Sequence, residues 1–527
     1  MNGMSGMEPG AMEGGRMVMV MKGIPFSWFL FGFVSILLLS FLFVEFRGTG
    51  KASRMRFLLF SPRKRAFLAR SRSLQPFFQG MMGLILLGIV YAGFFGSRVL
   101  NIAPVLVWTI WWALLIFVIV LLGPLFCFAC PWDGLANLVT RLGGIRVLRP
   151  ISMEWRFPKF LENLWPATIL FVILTWLELG YGVTTNPAAT AAMGLAMAIG
   201  AAAAALLWSG KRFCRHFCPV GRISGMYANF SPVEIRANKP AACRTCETED
   251  CLNGNENGYP CPVGLSLKFL DDSTYCTMCL ECFKSCRRSN VAFRLRPFGS
   301  DLPLRRRVAW DEAGLCLALL GLTLFHGFTM TPVWENFTPG GWSLLKAMAV
   351  RWGTSRTFNF SVAMAAALAV PVVAYFLAGT AAAKAARVQN TGEVLRTFAP
   401  SLLPVALFYH LAHNLMHFAM EGSSLVPLLS DPLGRGANLF GTASYHYGAL
   451  LSQPAVWMLQ VALILTGHIF GIVVTHQTAE SVIGTEEIDA RRRRFLLSLP
   501  FLLLMILISV TGLGLMHMDM NMRVGRM

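Results

Sequence analysis

Apolar residues in this chain come in blocks of about twenty, the length a helix needs to cross a hydrocarbon core of ~30 Å. Ten such blocks stand out: residues 25–45, 77–97, 103–125, 164–182, 190–208, 309–329, 359–381, 399–419, 453–474 and 496–516. Backbone groups in lipid must be satisfied within their own segment, so each block is expected to be a helix. One region breaks the rhythm. Between 211 and 307 the apolar blocks give way to short polar loops rich in cysteine. The pattern predicts an all-α polytopic membrane protein of about ten transmembrane helices. A tail at 1–23 precedes five helices within 24–210, the insert fills 211–307, five more helices lie within 308–516, and a tail follows at 517–527.

Composition strengthens that picture. Of 527 residues 55% are hydrophobic and 14% charged, with a mean hydropathy of +0.56, whereas a soluble globular chain is about a quarter charged. The net charge of +19 invites a nucleic-acid reading, but its distribution argues against one. Arg47, Lys51, Arg54, Arg56, Arg63, Lys64, Arg65, Arg70 and Arg72 stand in one segment without an acidic residue. Further groups are Arg141, Arg146 and Arg149; Arg305 to Arg307; Lys384, Arg387 and Arg396; and Arg491 to Arg494. All fall in alternate loops, those after the first, third, fifth, seventh and ninth blocks. Basic loops stay in the cytoplasm, so the cysteine-rich insert is expected there and both termini outside. Topology and attraction to anionic lipid account for the charge without nucleic acid.

The N-terminal stretch MVMVMKGIPFSWFLFGFVSILLLSFLF, residues 17–43, has a basic residue before an apolar run, as a signal peptide does. The run is longer than a secretory h-region and no small-residue cleavage site follows, so an uncleaved helix is expected. Met17, Met19 and Met21 are alternative start positions.

Cysteine narrows the chemistry. There are 13 cysteines, and 12 lie in patterned groups between Cys127 and Cys286. Disulfides are one reading, but thiols on the cytoplasmic side stay reduced. Paired C-x2-C also makes zinc sites. The stretch YCTMCLECFKSCRRSN, from Tyr275 to Asn290, has the spacing C-x2-C-x2-C-x3-C. Three of its thiolates can hold one iron–sulfur cubane while the fourth reaches a second, as in two-cluster bacterial ferredoxins. Upstream, CRTCETEDCLNGNENGYPCP supplies Cys243, Cys246 and Cys251 with the remote Cys261-Pro262. Crossover then gives one cluster to Cys243, Cys246, Cys251 and Cys286. A second goes to Cys261, Cys276, Cys279 and Cys282. The insert is expected to be a ferredoxin-like domain with two [4Fe–4S] clusters. Arg287 stands where such motifs carry proline, and with Arg288 it would raise a cluster's potential.

A second cysteine pattern lies at helix ends. FCFACPWDGL closes the third block with Cys127, Cys130 and Pro131, and FCRHFCPVGR follows the fifth with Cys214, Cys218 and Pro219. The two look like copies of one helix–Cys–Cys-Pro unit, with spacings of x2 and x3. Their four thiolates offer a third [4Fe–4S] cluster; a thiol/disulfide pair and structural cysteines are the alternatives. Cys316, alone in the sixth block, reads as a small buried apolar residue.

With these motifs, CPWDGL, CRHFCPVGR and the two ferredoxin groups, the chain resembles the membrane-bound polyferredoxins. That group includes the quinol-oxidising subunit of periplasmic nitrate reduction, the nitrous-oxide-reductase regulator and the accessory factor of copper-containing cytochrome oxidases. The resemblance spans roughly residues 100–300. It implies electron transfer through cytoplasmic [4Fe–4S] clusters beside a helical domain in the bacterial cytoplasmic membrane. Its members serve either respiratory electron delivery or copper-enzyme maturation.

An electron path across the bilayer needs a carrier inside it, and haem b and quinone are the usual ones. LFYHLAHNLMHFAMEG in the eighth block places His410, His413 and His417 on one helical stripe, and ionisable residues inside a span mark function. His468 in the ninth block lies at a depth compatible with His410 for a bis-histidine haem, and His476 stands at that block's cytoplasmic end. Interhelical hydrogen bonding is the plain alternative, and it suits His326 and, in its loop, His446. Methionine is dense at both ends: Met1, Met4, Met7 and Met12, then Met516, His517, Met518, Met520 and Met522. Thioethers select Cu(I), so copper is a further expectation for the C-terminal set.

The leading expectation is an electron-transfer protein relaying through two or three [4Fe–4S] clusters to or from an intramembrane haem or quinone. Its partners would be the quinone pool and a cytochrome or copper enzyme in a respiratory chain. A maturation factor reducing Cu(II) to Cu(I) and a redox-regulated transporter are the alternatives. No paired helix breaks of a transporter site are visible.

Overall fold

The computed structural model describes residues 7–13, 16–45, 57–58, 67, 71, 73–141, 152–302, 308–334, 343–445, 448–484 and 489–521. The basic residues between Arg47 and Arg72, Arg146, Arg149, Arg305 to Arg307, Met1, Met4, His446 and Met522 lie outside these.

Each predicted block is a helix. They are α1 (Phe26–Glu45), α2 (Leu74–Phe95) and α3 (Ile102–Leu122), then α4 (Pro131–Arg141) after the first Cys-Pro, α5 (Trp165–Gly180) and α6 (Pro187–Leu207). After the second Cys-Pro comes α7 (Pro219–Ala228), followed by α8 (Trp310–Thr329), α9 (Arg356–Ala385), α10 (Leu403–Glu421), α11 (Gln453–Val482) and α12 (Ala490–His517). Eight helical segments among the described residues are long and apolar enough to cross a membrane, and two shorter apolar helices, at α1 and α5, complete the set. The amphipathic α4 and the short α7 are the two that do not cross.

Contacts between the ends sort the loops into two faces. Ile24 donates to the Met516 carbonyl at 2.9 Å, and Gln453 Nε2 to the Lys22 carbonyl at 3.1 Å. The start of α1, the start of α11 and the end of α12 therefore share one face, here the terminal face. At the opposite end Leu164 N–H donates to Asp311 at 2.7 Å, and Arg493 Nε to the Ala386 carbonyl at 3.0 Å. The cysteine-rich insert sits on that second face.

α10 is the axis. Nearly every residue from Leu403 to Met420 is buried, as expected of a helix enclosed on all sides. The insert is built on strands β4 (Val233–Ala237) and β5 (Val291–Leu295), paired antiparallel from Val233 with Leu295 to Ala237 with Val291. β3 (Phe57–Leu58) adds to β5. Arg296, fully buried, donates to the Ala228 carbonyl at 2.9 Å and to Glu234 at 3.2 Å, while Arg236 meets Asp301 at 2.7 Å. A guanidinium on the last carbonyls of α7 satisfies both those orphan acceptors and the helix dipole. The sheet is thereby fixed to the helix that follows Cys218.

The tails hold regular structure that the hydropathy pattern does not predict. β1 (Met7–Glu13) and β2 (Arg16–Met21) form a hairpin, and β6 (Met520–Asn521) pairs with β2.

Candidate functional site

Both Cys-Pro units fold the same way. A spanning helix ends, the second cysteine turns into extended backbone (ψ 124° at Cys130, 111° at Cys218), and proline opens the next helix. Proline suits the first helical position because its missing N–H would be unpaired there. The first turn's free N–H groups then face the cysteine sulfur: Gly221 N–H donates to Cys218 Sγ at 3.3 Å. A helix N-terminus favours a thiolate or an anionic cluster.

The two units meet. Buried Asp133, in the first turn of α4, accepts from Lys211 Nζ at 2.5 Å and from Gln79 at 2.7 Å, and Cys214 Sγ lies 3.9 Å from it. Burial pushes the Cys127 thiol up to about 12 and raises Cys130 and Cys214 too, and neighbouring thiolates and Asp133 push further. Cys218 is also raised by burial, although the Gly221 N–H and Arg222 oppose it. Four thiols, two of them buried and two half-buried, that influence one another fit a cationic iron–sulfur core, which would draw off their protons. Arg222 points the same way. Its guanidinium is 1% exposed and donates Nη1–H to the Thr274 carbonyl at 3.1 Å, and neither its Nε nor its Nη2 has a protein acceptor. Arg222 pulls down the thiols of Cys127, Cys218 and Cys276 alike.

The other eight cysteines sort by the same criterion. Cys282 feels the charge of Cys279, Cys276 and Cys261, while Cys243 feels Cys286 and Cys246, and Cys251 feels Cys286 and Cys243. The loop around Cys279 carries Met278 and Leu280 at φ 49° and 65°. Such left-handed non-glycine residues turn successive N–H groups inward as an anion nest. Asn290 donates N–H to Cys286 Sγ at 3.3 Å and Nδ2–H to Cys243 Sγ at 3.2 Å. The groups also influence one another in series: the charge of Cys276 bears on Cys127, and that of Cys251 on Cys282. Among the described residues no three His, Cys, Asp or Glu side chains converge on a single ion, whereas a cubane spreads its thiolates over different irons. Arg287 pairs with Asp250 at 3.2 Å and Glu256 at 3.1 Å, so its charge is largely offset locally. Cys316 is fully buried in α8.

Beside the helix-end set lies a large apolar cavity of about 540 Å³ between α2, α3, α5 and α6. Trp108, Trp111 and Trp112 line it, on a π-helical stretch of α3, Val105–Trp112. Such stretches are frequent at functional sites. Pro131 and Pro219, next to Cys130 and Cys218, form part of its wall, and its one carboxylate is Glu178. Sequence reasoning missed Glu178, although a lone acid in an apolar span is a recognisable signal.

The histidines are not assembled as the haem expectation requires. His468 is fully buried, with Nε2 2.8 Å from Ser40 Oγ on α1 and Nδ1 3.0 Å from Ser509 Oγ on α12. Both ring nitrogens are engaged, and the ring serves interhelical packing. His410 faces elsewhere, towards Tyr227 Oη at 3.3 Å and the Trp112 ring at 6.0 Å. These two rings therefore do not make an axial pair. His413 packs on His417 at 4.9 Å and on His326 at 5.8 Å between centroids. His476 is on α11, towards the insert's face. At the chain ends Met516 and Met520 are each 2% exposed, in an apolar cluster with Met21, Met416 and Met420, while Met518 is exposed. His517 Nδ1 lies 2.6 Å from the Ile24 carbonyl. Apolar packing accounts for Met516 and Met520.

Comparison with known proteins falls on the same residues. A family model described as a 4Fe–4S binding domain matches residues 104–150 and 190–236. Each match runs from a spanning helix through one Cys-Pro unit. An uncharacterized protein of Methanocaldococcus jannaschii is 24% identical over 176 residues, 32% of this chain and 64% of that protein. YccM of Escherichia coli, a protein named for electron transport, is 26% identical over 139 residues, 25% of this chain and 36% of its own length. The chain thus spans less than two thirds of either relative. No solved structure matches it at a significant level. Together these matches support a membrane polyferredoxin-like family for this chain. Over these two segments the chain is similar to 4Fe–4S binding proteins, and its long apolar helices are of the kind that cross a membrane.

Proposed function

We propose that the chain relays electrons between a lipid-soluble quinone in the apolar cavity and a redox partner at the insert's face. The observation that carries this reading is the serial arrangement of the three cysteine sets, the first of which borders the cavity. Cys127, Cys130, Cys214 and Cys218 would hold one [4Fe–4S] cluster. Cys261, Cys276, Cys279 and Cys282 would hold the next, and Cys243, Cys246, Cys251 and Cys286 the outermost. A bound cluster supplies one-electron transfer, with its potential set by nearby charge and hydrogen bonds.

This chain's residues do the rest. Arg222 places positive charge beside the first set, which favours the reduced state, whereas the charge of Lys211 is offset by Asp133. The indoles and apolar side chains of the cavity wall offer a flat, dry slot within the usual ligand-pocket range of about 300–1,000 Å³. Glu178 stands ready as a proton acceptor or donor. Basic loops on the insert's side support a cytoplasmic insert. A respiratory chain in the bacterial inner membrane is the setting this reading favours.

The test is chemical analysis with spectroscopy. The purified protein should contain about twelve irons and twelve sulfides per chain, three cubanes' worth. The Cys127→Ser and Cys218→Ser variants should each fall to about eight. A short-chain quinone should quench tryptophan emission, and Trp111→Leu should weaken that quenching. Eight irons in the parent protein would remove the third cluster, and unquenched emission would remove the quinone.

A further inference from the structure

We propose that Glu178, His326, His413, His417 and Glu421 form a proton line joining the apolar cavity to the terminal face. This inference deepens the quinone reading and takes from it the purpose the protons serve.

Glu178 belongs to α5 and lines the large cavity. It also lines a second, small cavity of about 20 Å³ with Thr323, His326, His410 and His413. Trp112, Phe171 and Leu322 complete its wall, so polar groups face an otherwise apolar space, and ~10–15 Å³ suffices for one water. His326 Nε2 of α8 lies 3.8 Å from Glu178 Oε2. The His326 and His413 rings are 5.8 Å apart, a gap of the size that one water bridges. His417, one helical turn further along α10, stacks edge-on at 4.9 Å from His413. His417 Nδ1 then lies 3.3 Å from Glu421 Oε2. Glu421 ends the line at the terminal face, where α10 stops and Leu450 N–H donates to the Ala419 carbonyl.

Glu178, His413 and His417 are buried, while His326 and Glu421 are half-buried; ionisable groups inside a membrane protein's helices are costly and mark ion or proton pathways. Histidine suits the task because one ring nitrogen can take a proton while the other releases one. Each hop moves one proton from an acid to the next base, and the donor returns to its starting form when the next proton arrives. No electron is involved. In quinol oxidation two electrons would pass to the one-electron centres and two protons to this line. Other titratable groups beside it are His410 with its partner Tyr227, and Tyr409, whose hydroxyl packs against Gly327 next to His326; His468 is engaged by Ser40 and Ser509.

Trp112 lines both cavities and lies 6.0 Å from the His410 ring, so its emission reports protonation there. The test uses the full-length protein in lipid nanodiscs, stepped from pH 8 to pH 6 by stopped flow. A Trp112→Phe protein identifies the Trp112 contribution. The expected result is a Trp112 transient that slows at least tenfold in Glu421→Gln and His417→Phe. In His413→Gln the transient should be lost, with iron content unchanged in all three variants. Equal rates in the parent and in Glu421→Gln and His417→Phe overturn the line, as does the absence of a transient in the parent. Quinone quenching, measured on the same samples, reports on the quinone reading separately.

Discussion

Arg222 shows how one residue serves both fold and function. A guanidinium that is 1% exposed, with Thr274 as its carbonyl partner and Tyr275 5.2 Å from its carbon, sits between the helix-end thiols and Cys276. An unpaired buried charge costs several kcal/mol, so its retention needs a counter-charge, and anionic clusters would provide one. Arg222→Met should lower the midpoint potential of the helix-end centre by about 60 mV or more, a tenfold change for one electron. A redox titration followed by EPR reads this directly. An unchanged potential would put the guanidinium's role in packing alone. Little of this is visible in the sequence, because the arginine reads as one more basic residue in a positively charged chain. The ferredoxin spacing is visible at this scale because it follows cubane geometry, and iron content is what tests the eight ligands it names. The histidines were only half legible. Periodicity places His410, His413 and His417 on one stripe, but the partners of a ring depend on helices far away in sequence. Ser40 and Ser509, which engage His468, belong to the first and last spanning helices.

Among elements, α7 decides whether insert and membrane domain act together. It is buried along its whole length, and a Cβ added at Gly225 would run into the Thr274 carbonyl. Backbone approaches that close need glycine. Gly225→Val should force the Thr274–Tyr275 loop away and cost about 1–3 kcal/mol by overpacking. Lower iron retention and a lower melting temperature are the expected readings; a variant with full iron and parental melting would show that the loop yields cheaply. Helices were the most legible elements because lipid imposes both their length and their composition. The sheet of the terminal face is not legible, since β1 and β2 alternate weakly and lean on β6 from the other end of the chain. The π-helical part of α3 was hidden as well: a local change in winding leaves no mark on a uniformly apolar run.

For the molecule as a whole, the alternation of helices puts the terminal face opposite the insert, and the basic loops support the proposed orientation. An alkaline phosphatase fusion after Asn521 should be active, and one at Gly484 should be inactive but fluoresce when green fluorescent protein replaces the phosphatase. The reverse pattern would invert the proposed orientation and place the cysteine sets in an oxidising compartment.

The terminal face carries one more consequence, for biosynthesis. His517 and Ile24 meet across 493 positions of sequence, and α1 finds its partners on α11 and α12. A chain made from its N-terminus must therefore hold α1 in the bilayer with Ser40 unsatisfied by His468 until the last helices emerge. Contacts that distant close late. A nascent chain halted before α11 leaves its apolar first helix without the two helices that clasp it.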